Sequence, residues 1–262
     1  MKRVRFIDPA GTVRHGEYVD GAIRFAGETY PPGDVELLPP ADPSKIVCVG
    51  LNCRSHAEEV DAEPPDRPVL FFKPPHTLAA PGETITLPPG RERVDYEAEM
   101  GVVIDRQCRN VDADDAMGAV RGFTCVNDLS NRDDQPQERN WVRSKAFDNA
   151  APVGPVVATP DELPPSPTIR LRLNGDVEQE ATTDEFFFSV PELIAEITEL
   201  ITLEPGDVIS TGTPAGIGPL SDGDTVDVEV EGVGTLRNHI VAADSGDEGE
   251  DEGEGANGNG PE

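Results

Sequence analysis

Positive charge is what these 262 residues lack: 21 lysines and arginines face 51 aspartates and glutamates, for a formal net charge of -30. Nucleic acid and anionic membrane surfaces, which are held by clustered cations, are therefore excluded as expected partners. Lysine is the scarcer base, with only Lys2, Lys45, Lys73 and Lys145 in the whole chain. Cysteine is equally sparse. Cys48, Cys53, Cys108 and Cys125 form no C-x-x-C pair and have no histidines at ligand spacing, which argues against a zinc site or a disulfide framework. No apolar run approaches the roughly 18 residues needed to cross a bilayer, and the opening MKRVRFIDPAG turns polar too early for a secretion signal. The chain is expected to be soluble and cytoplasmic.

Acid, by contrast, is spread along the whole chain. Combined with scarce lysine, this is similar to proteins of cytoplasms kept at molar salt, where the Debye length falls to about 3 Å and self-repulsion is screened. An ordinary acidic enzyme is the alternative. The segment 244–262, DSGDEGEDEGEGANGNGPE, holds eight acids, no base and no apolar residue larger than alanine, so a disordered, solvated tail is expected there. Without it the chain still carries 43 acids against 21 bases.

Short alternating segments broken by Gly and Pro run from Val4 to about Leu38, predicting a small β subdomain over 1–40. PPADPSK then reads as a stiff linker. Beyond it KIVCVGL, VLFFK, VVIDR, GFTCVND, TIRLRLNG, DVIST, DTVDVEV and LRNHIV read as strands, and the Asn-Gly of LNGD marks a hairpin. Helices are few. The clearest is SVPELIAEITELI, where Ser189 and Glu192 are spaced as a capping box ahead of an apolar stripe; DADDAMGAV from Asp112 is a weaker one. A mainly β fold with a few helices follows.

Within it, VDYEAEMGVVIDR poses a problem of electrostatics. In an extended strand Asp95, Glu97 and Glu99 all point to one side, and burying stacked carboxylates without compensation costs several kcal/mol each, so this face needs open water or a cation. Asp128 ends the apolar strand FTCVND at a turn, where a strand delivers a side chain to a site rim. Glu97, Glu99 and Asp128 would make an oxygen-only set suited to Mg²⁺, with Mn²⁺ as competitor; a solvated strand face is the bland alternative. In GLNCRSHAEEV, His56 and Glu59 share one face of a short helix and could act as a base dyad. Lys145, in WVRSKAFD, is an interior lysine in a chain that has almost none.

The ordered set GLNCRSHAEE, LFFKPP, VDYEAEMGVVI, NDLSNRDDQ, WVRSKAFD, LRLNGDVEQ and ITLEPGDVISTGTPAGIGP resembles the fumarylacetoacetate hydrolase family over about 44–241. It is similar to the branch holding acylpyruvate hydrolases, oxaloacetate decarboxylases and isomerase/decarboxylases of aromatic catabolism, including the 2-hydroxyhepta-2,4-diene-1,7-dioate type. The resemblance implies a mixed β-sandwich roll with a small N-terminal β subdomain, usually a homodimer. It implies Glu97, Glu99 and Asp128 as metal ligands, His56 and Glu59 as a dyad on a lid, and Lys145 as the cation near a developing enolate. Arg132, Gln135 and Thr213 match substrate-contacting positions. Cys53 departs from the pattern, because most relatives carry Tyr there, and Asp95 is not a ligand in it.

The chemistry implied is cleavage of a C–C bond in an acylpyruvate or related 2-oxo acid, with the cation as Lewis acid. Isomerisation or decarboxylation of ring-cleavage products is the near alternative. A non-catalytic β domain that binds a cation for stability is the distant one. The Gly/Thr/Pro loop TGTPAGIGP, able to wrap a small ligand, speaks against the latter.

Overall fold

Strand Ala98–Ile104 is buried at every residue. Such a strand has both faces covered, which is why its sequence is a near-continuous apolar run rather than an alternating one. Its neighbours are Val120–Asn127 and Val208–Ser210, both antiparallel. Gly101 permits the close approach, since a Cβ there would lie 2.7 Å from Val126 Cγ2 and 2.8 Å from Thr124 Cγ2. The computed structural model, which describes residues 1–243, places this strand in a twelve-stranded sheet. Ile46–Gly50 continues that sheet parallel to Val208–Ser210, and Val69–Lys73 closes the edge.

The opposite edge is N-terminal. Lys2–Ile7, Val13–Val19, Ala22–Phe25 and Glu28–Tyr30 pair in succession, with Glu36–Leu38 on the far side of the first. They join the large sheet where Lys2 and Arg3 face Ala158 and Val157. Thus the short β segments expected near the N-terminus exist, and they extend the main sheet.

Ala151–Ala158, the strand they meet, is absent from the sequence reading because APVGPVVA carries two prolines. The ladder with Val120–Asn127 slips between Phe123 and Cys125, so Pro155 falls in a bulge where no ladder N–H is demanded. A second sheet holds Asp176–Thr182, Thr168–Leu173, Thr225–Val230, Gly234–Val241 and Thr84–Thr86. Its first hairpin turns at Asn174 and Gly175, both at positive φ, as the Asn-Gly signal predicts.

Helix Val190–Leu200 starts with the predicted capping box: Ser189 N donates to Glu192 Oε2 at 2.7 Å. Leu193, Ile194 and Ile197 seat it in the core. The weaker helix is a single turn, Ala113–Ala116, running into a 3-10 turn. No helix among the described residues is long and apolar enough to cross a membrane. The expected disordered tail lies outside the described residues.

A candidate metal centre beside a histidine dyad

The VDYEAEMGVVI run is not one strand. It breaks at Glu97 into Val94–Tyr96, which belongs to a small three-stranded sheet, and Ala98–Ile104 in the large one. Asn127 holds the break by accepting from Glu97 N at 3.0 Å, and Asp128 N donates to Glu97 O at 2.8 Å. Two strands and a turn therefore deliver Glu97, Glu99 and Asp128 to one place, with a ligand oxygen from each lying within 4.8 Å of the others.

All three are buried, as is Asp95. Asp95, Glu97 and Asp128 are each met by cations and Glu99 by neutral donors, which answers the electrostatic problem for three of the four acids. Asp95 is paired with Arg93 Nε and Arg132 Nε, both at 2.8 Å. Glu97 Oε1 meets Arg132 Nη2 at 2.5 Å and its Oε2 meets Lys145 Nζ at 2.7 Å. Lys145 also donates to Asp128 Oδ2 at 2.8 Å. Glu99 Oε2 accepts from Ser210 Oγ at 2.6 Å and Gly212 N at 2.8 Å.

These contacts split the carboxylates. Burial works to raise Glu97, but Lys145 and Arg132 outweigh it and hold the group down to about 2. Glu99 has no cation, and burial together with the Asp128 and Glu97 charges pushes it up to about 8. Lys145 is raised: burial opposes its charge, and the Asp128 and Glu97 carboxylates more than offset that.

The sequence reading missed a second buried lysine. Lys73 Nζ lies 2.8 Å from Asp128 Oδ1, fully sealed from solvent. It also donates to the carbonyls of Ala150 and Leu129, at 2.8 and 3.0 Å. Asp128 Oδ1 is held by this ion pair and has no other donor among the described residues. A buried carboxyl with no cation of its own, Glu99, and an all-oxygen donor set converging within 4.8 Å fit a hard divalent cation. The signal for Lys73 was available: VLFFK ends an apolar strand on one of four lysines.

Helix Arg54–Glu59 carries the dyad, with His56 Nδ1 at 3.0 Å from Glu59 Oε2 and the imidazole buried. Glu59 Oε1 also accepts from Gly216 N at 2.9 Å, so the TGTPAGIGP loop grips the helix. Of the three expected substrate contacts, Arg132 Nη1 donates to Gln135 Oε1 at 2.7 Å. Thr213 Oγ1 accepts from Gln179 Nε2 at 2.9 Å, which leaves its own O–H free to donate. Gln179 braces this loop further through Pro214 O and accepts from Ala98 N; no pattern in VEQEAT marks it. Cys53 sits beneath the helix start, fully buried against Ser55 and paired with Phe186, and does not face the cavity.

One cavity of about 260 Å³ is lined by all nine sequence-selected residues except Glu59, which stands behind His56. A larger hollow of about 890 Å³ lies against the N-terminal strands, but the buried charge is in the smaller one.

Residues 45–241 match the model of the family described as fumarylacetoacetate (FAA) hydrolase C-terminal. Among solved structures, the chain is similar to 5-carboxymethyl-2-hydroxymuconate delta-isomerase from Mycobacterium smegmatis, with a TM-score of 0.85, 38% identity and coverage of 93% of this chain and 99% of that one. The 2-hydroxyhepta-2,4-diene-1,7-dioate isomerase from Mycobacterium marinum gives 0.84, 36%, 93% and 99%. Human mitochondrial oxaloacetate tautomerase FAHD2A is 38% identical over 216 residues, 78% of this chain and 69% of that protein. A purely structural cation-binding role is thereby set aside: the chain belongs to the fumarylacetoacetate hydrolase C-terminal family and is an enzyme of it.

Proposed function

We propose that the protein is a Mg²⁺-dependent enzyme that cleaves a C–C bond of an acylpyruvate or related 2-oxo acid. One observation carries this: a histidine–glutamate dyad, a buried lysine and three converging carboxylates bound a single 260 Å³ cavity. Glu97, Glu99 and Asp128 would hold the ion, Mg²⁺ or Mn²⁺. Bound there, it would supply Lewis acidity toward the oxygens of a 2-oxo carboxylate.

The protein's own groups do the rest. His56, oriented by Glu59, takes a proton from water, and the hydroxide adds to the carbonyl remote from the carboxylate. The C–C bond beside that carbonyl then breaks; the electron pair leaves on the pyruvate enolate, which is protonated at carbon, and the other product is a carboxylic acid. The Lys145 ammonium sits where negative charge develops, and removing such a group typically costs about 10²- to 10³-fold. The Gln135 amide and the Thr213 hydroxyl can hold the substrate carboxylate, because Arg132 is engaged by Asp95, Glu97 and Gln135.

The second reading is isomerisation or decarboxylation of a ring-cleavage product, and the two isomerase neighbours support it equally well. There the same base moves a proton between carbons and no water adds. Assays of acetylpyruvate, oxaloacetate and a ring-cleavage dienoate, with Mg²⁺ and with chelator in high KCl, separate the readings. Flat traces for every 2-oxo acid would overturn both. A homodimer, implied by the resemblance, is part of the proposal and is checked by light scattering.

A further inference from the structure

Gln179 is fully buried on strand Asp176–Thr182, between the exposed Glu178 and Glu180. The backbone around it fixes which way its amide points. Ala98 N can only donate, so Oε1 faces it at 2.9 Å; Pro214 O can only accept, so Nε2 faces it at 2.7 Å. The other Nε2 hydrogen reaches Thr213 Oγ1 at 2.9 Å, so Thr213 must accept there. Thr213 is itself buried, lines the cavity, and makes no other side-chain hydrogen bond among the described residues. Its own hydroxyl hydrogen is therefore left for whatever fills the cavity. The loop has no room to draw toward the strand, because a Cβ on Gly216 would lie 2.0 Å from Glu178 O.

We propose that Gln179 is a positioning residue for substrate: by donating to Thr213 Oγ1 it makes the Thr213 hydroxyl a donor into the cavity, aimed at an oxygen that can only accept. An ionised carboxylate offers such oxygens. Ala98 lies between Glu97 and Glu99, so the same amide holds this donor in register with the strand that carries both carboxylates. The inference rests on the 2-oxo acid reading and deepens it, since it says how the substrate carboxylate is recognised. Gln179 touches no substrate and acts through Thr213.

Calorimetry with Mg²⁺ and oxalate, whose joined carboxylates mimic enolised pyruvate, tests this in a double-mutant cycle of Gln179→Met and Thr213→Val. Each single variant is expected to bind oxalate about tenfold more weakly, the loss of one hydrogen bond to a charged group. The double variant should bind no more weakly than either single one. Gln179→Glu fills the same space with at most one hydrogen where the amide has two, and it takes the place of Gln179→Met in the cycle if the latter does not fold. Mg²⁺ affinity without oxalate should be unchanged in the Gln179 variant; its loss would mark a brace for the ligand strand and overturn the inference. Wild-type oxalate affinity in that variant, or losses that multiply in the double variant, would overturn the role of Gln179 alone. No oxalate binding by the wild type overturns the 2-oxo acid reading and this inference with it.

Discussion

Lys73 and Asp128 form an ion pair sealed from water, Nζ to Oδ1 at 2.8 Å, directly behind the three-carboxylate cluster. Lys145 approaches the same carboxylate from the cavity side at 2.8 Å. Asp128 is thus clamped between two ammonium groups, one on each carboxylate oxygen.

Removing Lys73 strips the Asp128 carboxylate of one of its two buried cations and leaves the cluster with an excess of negative charge. Lys73→Met should therefore lower stability by about 3–5 kcal/mol in chelator. Saturating Mg²⁺ should restore part of the loss, because ion binding favours the folded state. Guanidinium midpoints with and without Mg²⁺ measure both; a variant as stable as wild type in chelator would refute the pair's importance.

Glu97 and His56 make separable contributions. Glu97→Ala is expected to lose Mg²⁺ binding and activity together. His56→Ala should retain Mg²⁺ affinity and lose turnover by about 10²- to 10⁴-fold. Calorimetry and steady-state kinetics on both variants give the four numbers needed.

Asp207 gives a pH dependence away from the site. Its buried carboxylate accepts from Ser44 N and Oγ, Lys45 N and Glu204 N, and pairs with Lys45 Nζ. Burial works to raise it, but Lys45, the Glu204 amide and Ser44 prevail, so its folded pKa is lowered. A lowered folded pKa means stability that is present above the unfolded value of about 3.9 and is lost as pH falls through the folded one. The stability difference between wild type and Asp207→Asn should be full at neutral pH and shrink below pH about 4. A pH-independent difference would refute it.

Salt dependence tests the charge excess. At a formal -30, self-repulsion should make thermal unfolding occur at clearly higher temperature in about 2 M than in about 0.1 M KCl. No shift would mark an ordinary acidic enzyme.

Features encoded by local spacing were legible from the chain alone. The i,i+3 spacing of His56 and Glu59, the capping box at Ser189, the Asn174-Gly175 turn and the E-x-E pair each depend on a few adjacent residues. What was not legible depends on the tertiary fold. The break at Glu97 is set by the side chain of Asn127, thirty positions away. Ala151–Ala158 accommodates Pro155 because a bulge falls there. The positive φ of Leu51 and Trp141, both on the cavity, runs against the preference of bulky side chains. Asp95, which the resemblance places outside the ligand set, is buried between two arginines.

The account turns on a divalent cation among Glu97, Glu99 and Asp128. Crystals soaked in Mn²⁺ and measured at the manganese absorption edge test this most directly. An anomalous peak bounded by these three carboxylates is the predicted result; three carboxylates with no peak between them would contradict it.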